Sequence, residues 1–159
     1  MKPYYSKKAI QRFTNPKHFG NMKKPDATGE VGNIRCGDIM KIYLKVDDKK
    51  GKKIIKDISF QTLGCAAAVA TSDVICDLAK GKTFEDALKI DYKKVTDELG
   101  YLPTIKIHCA QLAQQGLKAA IEDYESPNRS KSSTPRSLRP EELRGIFSEK
   151  RLSDKKNNL

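Results

Sequence analysis

The residues of this chain best suited to bind a metal are its cysteines and histidines, and two of them are adjacent. His108 and Cys109 follow the segment Leu102-Pro103-Thr104-Ile105-Lys106-Ile107, at the predicted start of a long helix. Cys36 and Cys65 lie far upstream, each beside a glycine. Thiolates and imidazoles are suitable ligands for zinc and for iron–sulfur clusters. We therefore expect the fold to bring these three places together around a metal ion or cluster.

The backbone setting of each cysteine indicates which ones are available for chemistry. Cys36 precedes Gly37, which allows a tight turn and leaves the thiol approachable. Cys65 and Cys109 lie at predicted helix starts, where free N–H groups and the helix dipole favour a thiolate and lower its pKa. Cys76 follows Cys65 by eleven residues on the same predicted helix, which is about 16 Å at the helical rise. Cys76 is therefore expected to fill the core.

No pair of cysteines has the C-x₂-C spacing of a local zinc finger, so a site must be assembled from distant segments. The first residues lack the apolar stretch of a signal peptide and are not rich in arginine. No apolar run is long enough to cross a bilayer. We expect a cytoplasmic protein, in a reducing compartment where thiols bind metals or do redox chemistry more often than they form disulfides.

Basic residues outnumber acidic ones, giving a formal net charge of +11 over 159 residues. Such a balance favours an anionic partner, namely a nucleic acid, a membrane surface or an acidic protein. The lysines, however, are scattered over predicted turns and exposed helix positions, and no motif of a nucleic-acid-binding fold is present. We therefore expect neither nucleic acid nor membrane as a partner.

Alternating apolar and polar residues predict a small sheet. The alternation runs over 40–46 and again over 54–62, which predicts two strands joined by a turn at 47–51. A third strand is predicted near 29–34. Because short turns connect the strands, antiparallel pairing is expected.

After Cys65 the apolar spacing changes to three or four residues, which predicts a helix that ends at Gly81. Thr83 and Asp91 are predicted to cap two short helices, since their side chains can accept from free backbone N–H groups. Two more helices are predicted, one over 4–13 and one from His108 to Tyr124.

A change of composition at Ser126-Pro127 predicts the end of the folded domain. Residues 127–136 combine serine, basic residues and proline without apolar periodicity, as is typical of disorder. A short amphipathic helix is predicted over 140–151, with Pro140 in its first turn. The sequence thus predicts a domain over 1–126 and a basic, largely disordered tail over 127–159.

Three segments of the chain are similar to the motifs of a known family. They are Gly32-Asn33-Ile34-Arg35-Cys36-Gly37-Asp38, Thr62-Leu63-Gly64-Cys65-Ala66 and Leu102-Pro103-Thr104-Ile105-Lys106-Ile107-His108-Cys109. With the opening segment from Tyr5 to Gly20, they make residues 4–125 resemble the IscU/NifU N-terminal type of iron–sulfur cluster assembly scaffold.

The resemblance implies an α+β fold of the IscU/SufE-like kind, a small three-stranded antiparallel sheet with helices packed on one face. It implies a scaffold rather than an enzyme. A transient [2Fe–2S] cluster would be built on it from iron and from persulfide sulfur delivered by a cysteine desulfurase of the IscS/NifS type. The cluster would then pass to recipient apo-proteins.

By matching motif positions, the resemblance implies that the cluster-binding and metal-binding residues are Cys36, Asp38, Cys65, His108 and Cys109. Cys109 matches the cysteine expected to accept the persulfide. A storage cluster would prefer four thiolates, whereas a hard carboxylate exchanges more readily. Mixed ligation should therefore hold a cluster loosely enough to release it. Zn²⁺ is an expected occupant of the purified protein.

The resemblance also suggests further partners, namely a frataxin-like iron regulator, a ferredoxin and an Hsp70-type chaperone, and a monomer or a homodimer. One motif departs from the family pattern, which has Leu-Pro-Pro-Val-Lys before the His-Cys pair. Here the second proline is Thr104. This change affects the segment that such a chaperone would read.

Two alternatives remain open at the level of sequence. The first is a zinc-binding sulfur acceptor of the SufU-like type, because the same ligands suit tetrahedral Zn²⁺. The SufU-like branch, however, lacks the histidine of the His108–Cys109 pair. The second is a thiol-based transferase with Cys109 as nucleophile and His108 as base. It is disfavoured because adjacent side chains at a helix start are expected to point in different directions.

Overall fold

The computed structural model describes residues 4–33 and 37–126, and its sheet has the strand order β1-β2-β3. The strands are β1 (Ala27–Asn33), β2 (Asp38–Lys49) and β3 (Lys52–Leu63). Both neighbouring pairs are antiparallel. The predicted pairing of the two long strands and the third strand near 29–34 are therefore confirmed.

The turn between β2 and β3 is tighter than predicted. Only Lys50 and Gly51 lie outside the strands, with φ angles of 54° and 80°. Positive φ at both central residues is typical of the two-residue hairpin turn that matches the natural twist of paired strands. Asp47 and Asp48, predicted to lie in the turn, instead pair with Ile54 and Lys53.

The β2–β3 ladder contains one irregularity, a bulge between Lys45 and Val46. Lys45 pairs with Asp57 but Val46 pairs with Ile55, so β3 has one extra residue at this point, Lys56. A bulge of this kind leaves the extra residue unpaired and interrupts the alternation of side chains between the two faces of the sheet. As a result Ile55 and Ile58 are both buried although they are three residues apart.

Within residues 4–33 and 37–126, one α-helix precedes the strands and four follow them, in the predicted order. Ser6, Thr83 and Asp91 each accept a hydrogen bond from a backbone N–H of the first turn, at Ala9, Asp86 and Lys94. The caps predicted at Thr83 and Asp91 are thus confirmed. The helices are α1 (Lys7–Thr14), α2 (Ala66–Ala79), α3 (Phe84–Leu88), α4 (Tyr92–Leu99) and α5 (Ile107–Glu125), with a 3₁₀ turn at Thr104–Lys106 before α5.

The core lies between the sheet and helices α2 and α5. Both helices contact the strands, α1 and α4 pack on α2, and α4 also packs on α5. The buried face of β2 carries Met40, Ile42 and Leu44, and that of β3 carries Ile58 and Phe60, each no more than 1% exposed. The predicted α+β fold is therefore confirmed.

Helix α5 lies directly on the backbone of β1. A Cβ atom added at Gly29 would be 2.3 Å from the Ala120 nitrogen and 2.4 Å from the Gly116 oxygen. No side chain larger than hydrogen fits at Gly29, so the two backbones touch. The first turn of α5 carries His108 and Cys109. This contact therefore helps to fix where those two residues lie relative to the sheet.

A buried carboxylate ties the end of α1 and the following loop to α2. Asp73 is fully buried and accepts hydrogen bonds from the backbone N–H groups of Lys17 and His18, at 2.7 and 2.9 Å. The Arg12 guanidinium donates to the same carboxylate at 2.7 Å. Arg12 and His18 also bond to Asp77, one turn further along α2. The sequence alone does not indicate this network.

Three expectations concern residues outside the described part of the chain. They are the setting of Cys36, the tail over 127–159 and the short helix over 140–151. Among the described residues, no helix is both long enough and apolar enough to cross a membrane.

Candidate metal centre

Asp38 is the first residue of β2, and its side chain lies on the helix-covered face of the sheet. Side chains alternate along a strand, so Asp38 shares that face with Met40 and Ile42. It is only 5% exposed. A carboxylate thus continues the buried apolar row at the end of the strand. Such a burial is costly unless the carboxylate meets a cation or hydrogen-bond donors.

Cys65 is the N-cap residue of α2 and follows Gly64, which is the first residue after β3. Its backbone is extended, with φ −82° and ψ 173°, and its side chain does not cap the helix. The thiol is therefore left free to point elsewhere. It is half-buried, and its sulfur lies 3.8 Å from that of Cys109.

His108 and Cys109 lie in the first turn of α5, where the 3₁₀ turn Thr104–Lys106 leads into the helix. Cys109 is fully buried, whereas the His108 side chain is 29% exposed. The pair therefore has an inner thiol and an outer imidazole.

Four contacts join these side chains at similar distances. The Cys109 sulfur is 3.8 Å from the Cys65 sulfur, 3.9 Å from Asp38 Oδ2 and 3.6 Å from His108 Nε2. His108 Nε2 is also 3.9 Å from Asp38 Oδ2. Ligand atoms about 2.0–2.3 Å from a tetrahedral ion are roughly 3.3–3.8 Å apart. The four measured distances therefore lie within or slightly above the donor spacing of a small metal site.

Four of the predicted site residues thus lie together. Asp38, His108 and Cys109 form a compact group whose ligand atoms all lie within 4.8 Å of one another, and Cys65 adjoins it through Cys109. Cys36 lies outside the described residues. Cys76 is fully buried in the core, as predicted. Burial, and next the charge of Asp73, raise the pKa of the Cys76 thiol well above its ordinary value.

The expectation that His108 and Cys109 point apart is wrong. Successive helical residues leave the axis about 100° apart, which is the reason for that expectation. The imidazole is long enough to reach back, however, and its Nε2 comes to 3.6 Å from the neighbouring sulfur. The geometric argument against His108 as a base for Cys109 therefore fails.

The expectation that the helix start lowers the pKa of Cys109 is also wrong. Burial raises the pKa of this thiol, and the adjacent Cys65 and the carboxylate of Asp38 raise it further. Lys106 acts in the opposite direction. Desolvation and the nearby charges of Cys65 and Asp38 outweigh the favourable helix dipole, because each of them disfavours a negative charge on Cys109. A cation bound between these side chains would reverse that balance.

Two residues beside the site were not identified as functional from the sequence. The charge of Cys65 raises the pKa of the Lys106 ammonium, and Tyr5 has a raised pKa because of burial and then Cys65. Both therefore lie near the thiols. Lys106 stands two residues before His108, and this position was the available signal for it.

Comparison with known proteins identifies the family to which the chain belongs. The NifU-like N terminal domain family matches residues 4–131. "Iron-sulfur cluster assembly scaffold protein IscU 1" of Archaeoglobus fulgidus is 50% identical over 120 residues, covering 76% of each chain. "Iron sulfur cluster assembly protein 1, mitochondrial" of Debaryomyces hansenii is 40% identical over 136 residues, covering 84% of this chain and 74% of the relative.

Solved structures share the fold at lower sequence identity. A crystal structure described as a putative scaffold protein for the SUF system, from Fervidobacterium islandicum AW-1, has a TM-score of 0.59 and 22% identity. It covers 74% of this chain and 96% of its own. The N-terminal part of a NifU-like protein from Brucella abortus has a TM-score of 0.54 at 22% identity, with 77% and 94% covered.

The three-stranded antiparallel sheet with helices packed on it is the α+β fold of these solved structures. The chain belongs to the NifU-like N terminal domain family and, with relatives up to 50% identical named as IscU proteins, to its IscU type. The resemblance inferred from the three motifs is therefore confirmed.

The raised pKa of Cys109 predicts slow alkylation at neutral pH. In protein stripped of metal by a chelator, the rate at which iodoacetamide modifies Cys109 should still be rising at about pH 10, above the ordinary cysteine pKa of about 8.5. Cys65→Ser should shift this profile to lower pH, because it removes a charge that raises the pKa. Peptide mass spectrometry measures both rates.

Cys76→Ala provides the control, since it removes a cysteine that lies in the core away from the site. Its Cys109 profile should match that of the unmodified sequence. A rate that levels off below about pH 8.5 would show that Cys109 ionises normally.

Proposed function

We propose that this protein is a scaffold on which an iron–sulfur cluster is assembled and from which it is transferred to apo-proteins. The observation that carries the proposal is the mixed donor group around Cys109, in which a thiol, an imidazole and a carboxylate lie 3.6–3.9 Å from its sulfur. The names of the relatives, an iron–sulfur cluster assembly scaffold protein and an iron–sulfur cluster assembly protein, support it. The cluster is the cargo of this site rather than a resident cofactor.

The cluster proposed is a transient [2Fe–2S], with ligands drawn from Cys36, Asp38, Cys65, His108 and Cys109. Thiolates bind iron strongly, whereas a carboxylate is a hard and readily exchanged ligand. Two of the candidate ligands, Asp38 and His108, are not thiolates, so the cluster is bound less firmly than by four cysteines. There are five candidate ligands for the four protein ligand positions of such a cluster. The surplus ligand allows one side chain to replace another as the cluster is assembled and released.

Sulfur is proposed to enter as a persulfide on Cys109. The Cys109 thiolate attacks the outer sulfur of a desulfurase persulfide, forming a new S–S bond while the desulfurase cysteine leaves as a thiolate. Each transferred sulfur then needs two electrons to become sulfide, and a ferredoxin-type one-electron donor supplies them. Because Cys109 is fully buried, its sulfur must become accessible when the desulfurase docks.

A zinc-binding sulfur acceptor of the SufU-like type is the second candidate. The close grouping of Asp38, His108 and Cys109 favours it, because these ligand types suit tetrahedral Zn²⁺. The SUF-system structure shares only the fold at 22% identity, so it adds no support for that function. The two candidates differ in whether bound zinc gives way to iron and sulfide.

Anaerobic reconstitution distinguishes them. The protein is incubated with ferrous iron, cysteine, a reductant and a cysteine desulfurase, and cluster formation is followed by absorption spectroscopy. We expect a coloured cluster that transfers to an apo-ferredoxin. Cys109→Ser should abolish most of this, whereas the core variant Cys76→Ala should behave like the unmodified sequence. A colourless zinc form that never takes up a cluster would favour the sulfur acceptor.

Cys109 should carry the trapped persulfide. After brief incubation with the desulfurase and cysteine, alkylation and peptide mass spectrometry should find the extra sulfur on Cys109. The half-buried Cys65 thiol, 3.8 Å away, is the nearest competing acceptor. In Cys65→Ser the persulfide should still form on Cys109. Persulfide found only on Cys65, or lost from Cys109 in that variant, would assign the first acceptance step to Cys65.

Removing the Asp38 carboxylate should make the cluster more persistent. In Asp38→Ala, the half-life of the reconstituted cluster under a chelator should lengthen, because the site then lacks its hard and readily exchanged ligand. Asp57→Asn, which changes an exposed carboxylate of β3, serves as the charge-matched control. An unchanged or shorter half-life would remove Asp38 as the source of lability.

Partners, domain limits and location remain predictions. The scaffold role calls for a sulfur donor and for recipient proteins in general. The desulfurase, a frataxin-like regulator, the Hsp70-type chaperone and the monomer or homodimer state are proposals that rest on the family. So are the limits 1–126 and 127–159. The cytoplasmic location is likewise a proposal, since relatives include archaeal proteins and yeast proteins named as mitochondrial.

A further inference from the structure

Gly64 occupies the short connection between the end of β3 and the N-cap residue Cys65. Its backbone conformation does not require glycine. The described glycines with positive φ are Gly20, Gly37, Gly51, Gly81 and Gly100, and Gly64 is not one of them. The reason for glycine here must therefore lie in the space beside it.

The space beside Gly64 is occupied by the carboxylate of Asp38. A Cβ atom added at Gly64 would be 2.9 Å from Asp38 Oδ1 and 3.2 Å from Asp38 Cγ. It would also be 3.0 Å from the Cβ of Ala68. Ile39 pairs with Leu63, so Asp38 and Gly64 lie opposite each other one step beyond the ladder. Opposite residues in an antiparallel pair place their side chains on the same face.

The two oxygens of Asp38 face different neighbours. Oδ1 is the atom nearest to the vacant Cβ position of Gly64, while Oδ2 lies 3.9 Å from both the Cys109 sulfur and His108 Nε2. A carboxylate is rigid and planar, so a push on one oxygen moves the other. A methyl group at position 64 therefore acts on the distances between Asp38 and its two neighbours. Ala68, on the rigid first turn of α2, limits how far that methyl can move away.

We propose that Gly64 is a positioning residue, whose missing side chain lets the Asp38 carboxylate lie within reach of Cys109 and His108. This inference deepens the proposed function and rests on it for the role of Asp38 as an exchangeable ligand. Gly64 itself touches neither iron nor sulfur. Its effect passes through Asp38, so it should disappear when that carboxylate is absent.

The test compares Gly64→Ala in two backgrounds, with Asp38 present and with Asp38→Ala. The first readout is Zn²⁺ affinity, measured by competition with a chromophoric chelator. With Asp38 present, Gly64→Ala should weaken Zn²⁺ binding by about tenfold. In the Asp38→Ala background the same change should alter the affinity by less than about twofold, because the shared partner is gone. Equal losses in both backgrounds would overturn the proposal.

Gly32→Ala is the matched control. Gly32 lies in β1 close to Asp38, and the nearest described atom to its added Cβ, beyond its chain neighbours, would be the Asp38 backbone oxygen at 3.7 Å, an ordinary contact. Gly32 also has no positive φ. It therefore adds a methyl near the site without displacing the carboxylate, and Zn²⁺ affinity should not change.

The second readout is the melting temperature without metal, which remains informative if Gly64→Ala folds poorly. The crowded methyl should lower it by about 4 °C, and adding Asp38→Ala should restore most of that loss. No restoration would show that the methyl clashes with something other than Asp38. If coupling is seen but no cluster ever forms, the positioning role stands and the scaffold function fails. If clusters form but no coupling between positions 64 and 38 is seen, the scaffold function stands and the positioning role fails.

Discussion

The contact between β1 and α5 at Gly29 is the constraint on which the candidate site depends most. With no side chain between them, the helix backbone lies directly against the strand, and neither can slide without opening the core. Helix α5 spans 19 residues, roughly 28 Å, and carries His108 and Cys109 in its first turn. A displacement at the middle of this rigid rod is therefore passed to its end. Holding α5 in place therefore fixes the positions of His108 and Cys109, which their places in the sequence do not determine.

The other two donors come from different elements. Asp38 begins a strand and Cys65 begins α2, so the group exists only where a strand end and two helix starts converge. Asp73, fully buried and bonded to Arg12 and to two backbone N–H groups, holds the loop after α1 against α2. At the point where these elements converge, the carboxylate of Asp38 and the thiols of Cys65 and Cys109 lie close together and are largely shielded from solvent. Such crowding is unfavourable for anions alone and favourable for anions around a cation.

Much of this could be predicted from sequence because it depends on local rules. Alternation indicated the strands, and Thr83 and Asp91 marked helix starts through their capping side chains. The motifs indicated which donors belong together, since their resemblance carries three-dimensional information that spacing lacks. The reach of His108, the direction of the Cys109 pKa and the Asp73 network could not be predicted, because each depends on distances between segments remote in the chain. The hairpin turn was predicted too long because charged residues resemble turn residues, whereas tertiary pairing kept Asp47 and Asp48 in the strand.

The bulge at Lys45 and Val46 has an effect far from where it occurs. On the hairpin side of the bulge, Val46 pairs with Ile55, and continuing that register to the strand end would set Asp38 opposite Leu63. The one extra residue in β3 shifts the alignment by a single step, so that Asp38 instead faces Gly64. A bulky leucine in that position would occupy the volume that the carboxylate now fills. The bulge thus sets the alignment of the two strands at their far end. It places Gly64, which has no side chain, opposite the carboxylate of Asp38.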